Sequence, residues 1–140
     1  MSEIIWSKLK YFSENENWGA PKKMNGTLLL VLDEVRGCFP KQNYFIVHNG
    51  YATKGHSPYS QHYLGCAVDF HITNMNFRTV AKRLLDLFDN LQLSNFIGFG
   101  AYPTWNNPGF HLDVRGKKAR WGSINNTYCS IEEAINYKKD

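Results

Sequence analysis

A chain of 140 residues that is 43% hydrophobic and 20% charged has the size and make-up of one globular domain, able to build a core without disulfides. Its formal charge of +4 is spread over scattered lysines and arginines, too thin for a nucleic-acid footprint; it suits a diffuse polyanion such as a bacterial wall, or equally an unselected surface balance. No apolar stretch approaches the ~18 residues of a membrane span, and no charged stub precedes an apolar run at the N-terminus. Cys38, Cys66 and Cys129 are an odd count without CxxC spacing, and read as small buried hydrophobes rather than as disulfides or thiolate ligands.

Residues 1–20 interleave Trp6, Leu9, Tyr11, Phe12 and Trp18 with polar residues, and predict a short helical or irregular arm packed on the domain. Over 24–36 the apolar positions Met24, Leu28, Val31, Leu32 and Val35 recur at the helical period, with Gly37 placed to end the helix and Pro40 to prevent its continuation. Residues 44–48 are aromatic and β-branched, hence a strand, and Asn49-Gly50 turns the chain out of it. The Gly, Ser, Pro and Thr of 51–61 make a loop, where binding residues gather. Residues 67–72 form a strand whose alternation places Ala67, Asp69 and His71 on one face and Val68, Phe70 and Ile72 on the other. A broad apolar stripe makes 77–91 a core helix, capped by Asn76 or Asn74. Residues 96–102 read as a glycine-spaced strand, 103–109 as a loop, and 110–114 as a strand with His111 and Asp113 on one face. The SIEE run from Ser130 carries a capping box and opens a short last helix. No repeat or linker divides the chain, so 1–140 reads as one α+β domain with a single, mostly antiparallel sheet and helices packed on one face.

Three side chains in this layout suit a catalytic zinc ion, which takes three His or carboxylate ligands and leaves a fourth position for water. If the strands of Asp69 and His111 are sheet neighbours, both residues share a face, and His62 from the preceding loop can close over the carboxylate. The same pattern also describes solvated or hydrogen-bonded strand residues.

SQHYLGCAVD, from Ser60 to Asp69, resembles the SxHxxGxAxD signature of the zinc D-Ala-D-Ala carboxypeptidases and murein endopeptidases, the LAS metallopeptidases that share a fold with the hedgehog signalling domain. The run GFGAYPTWNNPGFHLDVRGKKARWG is similar to the branch whose last ligand lies in an FHxDxR segment followed by Arg-Trp. YFSENENW and the helix leading to YFIVHNGY also resemble opening elements of that family, so the likeness covers most of the chain. It implies a hedgehog/DD-peptidase-like fold, one zinc ion held by His62, Asp69 and His111, and hydrolysis of peptidoglycan peptides. A monomeric phage lysis enzyme would reconcile a wall substrate with a chain showing no export signal and no membrane insertion.

Two departures qualify that implication. The family's SGYR arginine, which grips a substrate carboxylate, is replaced by Asn49-Gly50-Tyr51-Ala52, which favours an endopeptidase over a carboxypeptidase; Lys54 offers only a point charge in its stead. The acid found three positions before the last histidine in several branches is Pro108 here. Asp113 then becomes the candidate general base, with two alternatives: orienting a ligand histidine, or pairing with Arg115 or Arg120. His71 and His56 are weaker candidates, more often surface residues, and His48 and Trp121 read as structural. Ser60 matches the family serine that faces substrate, although a turn-stabilising hydroxyl would look the same. Tyr51, Tyr102 and Trp105 are expected to wall the substrate site, or else to anchor its loops. The alternative function is a catalytically silent zinc-binding module with a wall-binding or structural role.

Overall fold

The elements that carry the site are strands, and their register is set by a file of phenylalanines. In a computed structural model that describes residues 3–74 and 76–139, with residues 3 and 4 as backbone only, six strands form one sheet in the order β1-β2-β4-β3-β5-β6. They are β1 (Phe45–Asn49), β2 (Ala67–Ile72), β3 (Gly98–Tyr102), β4 (Gly109–Asp113), β5 (Ala119–Ile124) and β6 (Thr127–Cys129). Phe45 stacks on Phe70 at 5.3 Å, Phe70 meets Phe110 at 5.9 Å, and Phe110 stacks on Phe99 at 5.4 Å, so one aromatic file crosses β1, β2, β4 and β3. A one-residue slip would turn those rings to the opposite face, which fixes the strands that carry Asp69 and His111.

Among the described residues four α-helices accompany the sheet: α1 (Glu3–Lys8), α2 (Gly26–Gly37), α3 (Phe77–Asn90) and α4 (Ile131–Ile135). Leu28 and Leu32 of α2, Leu84 and Phe88 of α3, and Ile131 and Ala134 of α4 join Val68, Phe99 and Leu112 in one buried core. The helices therefore cover the apolar face, and the other face is left to polar residues. Trp6, Phe12 and Trp18 are buried in the same core, as expected for the arm; residues 1 and 2 of that arm lie outside the described residues.

Local capping corrects several boundaries. Asn25 Oδ1 accepts from Leu28 N at 3.1 Å, so α2 begins at Gly26, two residues after the apolar period starts. A side chain that satisfies a free helix N–H outweighs periodicity at a helix start. Asn76 caps α3 in the same way, while Asn74 sits in a left-handed turn. Ser130 and Glu133 form the expected capping box.

The sheet is mixed rather than simply antiparallel. Its four other pairings are antiparallel, but β3 and β5 run parallel. Strands β5 and β6 were not expected; they form a hairpin through Asn125 and Asn126, both at positive φ, the conformation a two-residue hairpin turn needs. Residues 114–118 connect β4 to β5 across the end of β3, tied down by Val114 N to Cys66 O at 3.1 Å and Gly116 N to Phe96 O at 2.9 Å. The three cysteines are free and only partly buried, so they are not the core residues their composition suggested.

Candidate metal centre

On the polar face, register lays one residue from each of five strands in a row. Asn49 lies opposite Asp69, Asp69 opposite His111, His111 opposite Gly100, and Gly100 opposite Trp121. Gly100 is needed for close approach, because a Cβ there would lie 2.5 Å from Trp121 Nε1. Gly98 does the same one row away, where a Cβ would meet both Asp113 carboxylate oxygens at 2.6 Å.

His62 comes from a 3₁₀ turn, Gln61–Leu64, that the motif builds locally. Ser60 Oγ accepts from His62 N at 3.1 Å, and Gly65 closes the turn at φ 70°, pressed against the Lys23 carbonyl where a side chain has no room. His62 Nδ1 lies 2.7 Å from Gly50 O. A carbonyl can only accept, so Nδ1 carries the hydrogen and Nε2 is left with its lone pair. That Nε2 is buried and, among the described residues, makes no hydrogen bond, although Asp69 Oδ2 is 3.2 Å away; the distance is short but the geometry is not that of a bond.

The other two ligand candidates converge on the same point. His111 Nδ1 is 3.1 Å from Asp69 Oδ1, and Asn49 Nδ2 donates to Asp69 Oδ2 at 2.8 Å. All three side chains are buried, and one ligand atom from each lies within 4.8 Å of the others. Two ligands at ~2.1 Å from a tetrahedral ion stand roughly 3.4 Å apart, close to these spacings. His62, Asp69 and His111 can hold a metal ion, and the lone pair left on His62 Nε2 is a donor suited to one.

Asp113 occupies the orienting position beneath this group. Its Oδ2 is 2.7 Å from His111 Nε2, the nitrogen turned away from Asp69, and it is fully buried. Arg115 grips the same carboxylate through Nε at 2.9 Å and Nη2 at 2.6 Å, and Gly98 N adds a bond at 3.2 Å. Arg120 instead bonds the Ile97, Ala119 and Ser94 carbonyls. The carboxylate is thus spoken for and fully buried. Burial works to raise the Asp113 carboxyl, but Arg115 and His111 outweigh it and hold it well below the usual range. Burial likewise opposes the ionised Asp69, and His111 and His62 overcome it; burial disfavours a proton on His111, yet Asp113 and Asp69 raise its affinity for one.

A cavity of about 780 Å³ opens over the group. Ser60, Tyr102 and Trp105 line it, as the sequence suggests, and the Ser60 hydroxyl also serves the turn. Tyr102 and Trp105 stack at 4.2 Å and 14°, and Tyr102 Oη accepts from Trp121 Nε1 at 2.7 Å. Tyr51 is a correction: it does not line the cavity, but packs against the core beneath Lys23, whose Nζ is 5.0 Å from its ring. Its N–H donates to Trp18 O at 2.8 Å, which ties it to the arm. Lys54 is exposed outside the cavity, whereas Arg115 lines it. Pro108 lies in a separate, smaller hollow beside His71 and Phe77.

The sequence reading missed several contributors. Trp121, expected to be packing alone, lines the cavity 5.0 Å from the His111 ring; the two glycines of GFGAY on one strand face were the available signal for a large neighbour there. His56 lies flat on His62 at 4.2 Å and 17°. His48 also lines the cavity, its Nε2 2.6 Å from His71 Nδ1. No family model, curated protein or solved structure matches this chain.

Proposed function

We propose that this protein is a zinc metallopeptidase that hydrolyses peptide stems or cross-links of bacterial peptidoglycan, an endopeptidase rather than a carboxypeptidase, acting as a monomer and suited to phage lysis. The observation that carries the reading is the buried convergence of His62, Asp69 and His111 at the base of an open cavity, with His62 Nε2 left unbonded. The substrate class comes from the likeness of Ser60–Asp69 and of the His111 segment to the wall peptidases, and so does the hedgehog/DD-peptidase-like topology. Zinc fits a mixed His and carboxylate donor set, and when bound it polarises a carbonyl and acidifies water.

Every ligand is held by a second group. Gly50 O fixes the His62 tautomer, Asn49 restrains Asp69, and Asp113 with Arg115 orients His111. The stacked Tyr102 and Trp105 give a flat apolar wall for a stem peptide with methyl side chains, and the neutral Tyr102 hydroxyl can donate to a peptide carbonyl. Arg115 is the cavity's lysine or arginine, but its fork is already occupied by Asp113, which leaves a free terminal carboxylate without a dedicated clamp and supports internal cleavage.

The test is release of new amino groups from purified peptidoglycan by wild type, by chelated protein and by protein with zinc restored. Loss with chelator and return with zinc is the expected result, and fragment masses identify the bond. A second reading, a silent zinc-binding wall module, is favoured by the full engagement of Asp113; one zinc per chain with no amine release on any wall type would select it.

A further inference from the structure

The hydrolysis proposed above requires a group that removes a proton from water and delivers one to the leaving amine. Among the residues around the cavity most are committed. His62, Asp69 and His111 form the ligand group, and Asp113 lies beneath it. Arg115 keeps its charge, and burial pushes the Tyr102 phenol up to about 12, so it keeps its proton. His56 is hydrogen-bonded through its backbone, to Tyr63, while its ring rests on His62 within an exposed loop.

We propose that His48 is the catalytic acid–base residue of this site, set on the cavity face of β1 and fixed there by His71. Val47 pairs with Phe70 and Asn49 with Asp69, so β1 spends two steps where β2 spends one, and His48 is the extra residue. Regular alternation would send Asn49 to the core with Val47. The bulge instead brings Asn49 round to the face that His48 already occupies, so two consecutive residues serve one site: Asn49 bonds Asp69 and His48 lines the cavity. The ring is held on two sides, by the 2.6 Å contact of Nε2 with His71 Nδ1 and by Trp105 at 5.7 Å. The role calls for the tautomer in which Nε2–H donates to His71 and Nδ1 keeps the lone pair. Burial and then the neighbouring His71 lower the ring's proton affinity, against the opposing pull of Asp69.

The balance is that of amide hydrolysis. Water loses a proton to His48 as its oxygen bonds the carbonyl carbon; the C–N bond then breaks, and the same proton passes from His48 to the departing nitrogen. The enzyme ends with the protons it began with, and no further reactant is needed.

This assignment rests on the hydrolase reading, and the experiment separates the two. Wild type and His48→Ala are compared for amine release from peptidoglycan, for hydrolysis of an activated aryl ester of a stem-peptide acyl group, for zinc content and for melting temperature. The variant is expected to keep its zinc and its melting temperature and to lose about 10²–10⁴-fold on the amide, but far less on the ester, whose leaving group needs no proton. Added imidazole is expected to restore part of the amide activity. Amide hydrolysis within about three-fold of wild type, equal losses on amide and ester, or loss of zinc overturns the role of His48 alone. A wild type that binds zinc but cleaves no wall amide overturns the hydrolase reading, and the role of His48 with it.

Discussion

His111 Nε2 sits 2.7 Å from Asp113 Oδ2, on the side of the ring opposite Asp69, so in the proposed metal site this carboxylate is placed to aim His111. Removing such a partner typically weakens metal binding by ~10–100-fold without removing the ligand itself. Asp113→Asn is therefore expected to raise the zinc dissociation constant by that factor and to recover most amine release at saturating zinc. Competition against a fluorescent chelator, read beside activity, checks this; a variant inactive even when fully loaded would return Asp113 to the chemistry.

The two glycines of β3 have no room for a methyl group. Gly98→Ala would drive a Cβ into the Asp113–Arg115 pair and Gly100→Ala into the Trp121 indole. Each is expected to destabilise the fold by ~1–3 kcal/mol, the usual cost of overpacking. They differ at the site: the first should also weaken zinc binding, the second should not. Denaturant melts and metal titration on the two variants separate these outcomes.

A metal that binds only the folded chain adds to its stability by mass action, about 2.7 kcal/mol at a hundred times its dissociation constant. Zinc should raise the melting temperature of the wild type and a chelator should lower it. His62→Ala removes the unbonded Nε2 donor, and its melting temperature should not respond to zinc. A zinc-dependent shift that survives in His62→Ala would place the ion elsewhere.

Tyr102 is pushed up to about 12, chiefly by burial, with the Trp121 bond acting in the opposite direction. Its folded value exceeds the ~10 of an unfolded tyrosine, so the stability it contributes is complete below about pH 10 and fades as pH climbs toward the folded value. Absorbance titration should show a late phenolate step in the wild type that is missing from Tyr102→Phe. If both proteins titrate alike, the Tyr102 hydroxyl is not buried as described.

Much of the site could be read along the chain because its residues lie on short, regular segments. Strand β2 spans 67–72 as alternation required, and His62, Asp69 and His111 come together as the spacing suggested. What stayed hidden depended on non-local pairing. Trp121 faces the cavity because β5 pairs in parallel with β3, a neighbour about twenty residues earlier that alternation within 119–124 cannot identify. His48 ends the expected strand with nothing to single it out, and the bulge that brings Asn49 to its face has no signature in residue type. The choice of Arg115 over Arg120 for Asp113 follows from the turn after β4, where Arg115 N also reaches the carboxylate, a detail with no signature in residue type.

The connection of residues 114–118 across the end of β3 has a consequence for how this chain can vary. Its backbone is bonded to Cys66 and Phe96, and its second residue is the arginine that steadies Asp113. One residue more or fewer there would have to shift Arg115, and with it His111. The loop across the cavity, 51–60, is largely exposed, and its length can drift at little entropic cost. On the proposed function, differences in the size of substrate accepted can thus be written into the 51–60 loop while the 114–118 connection keeps a fixed length.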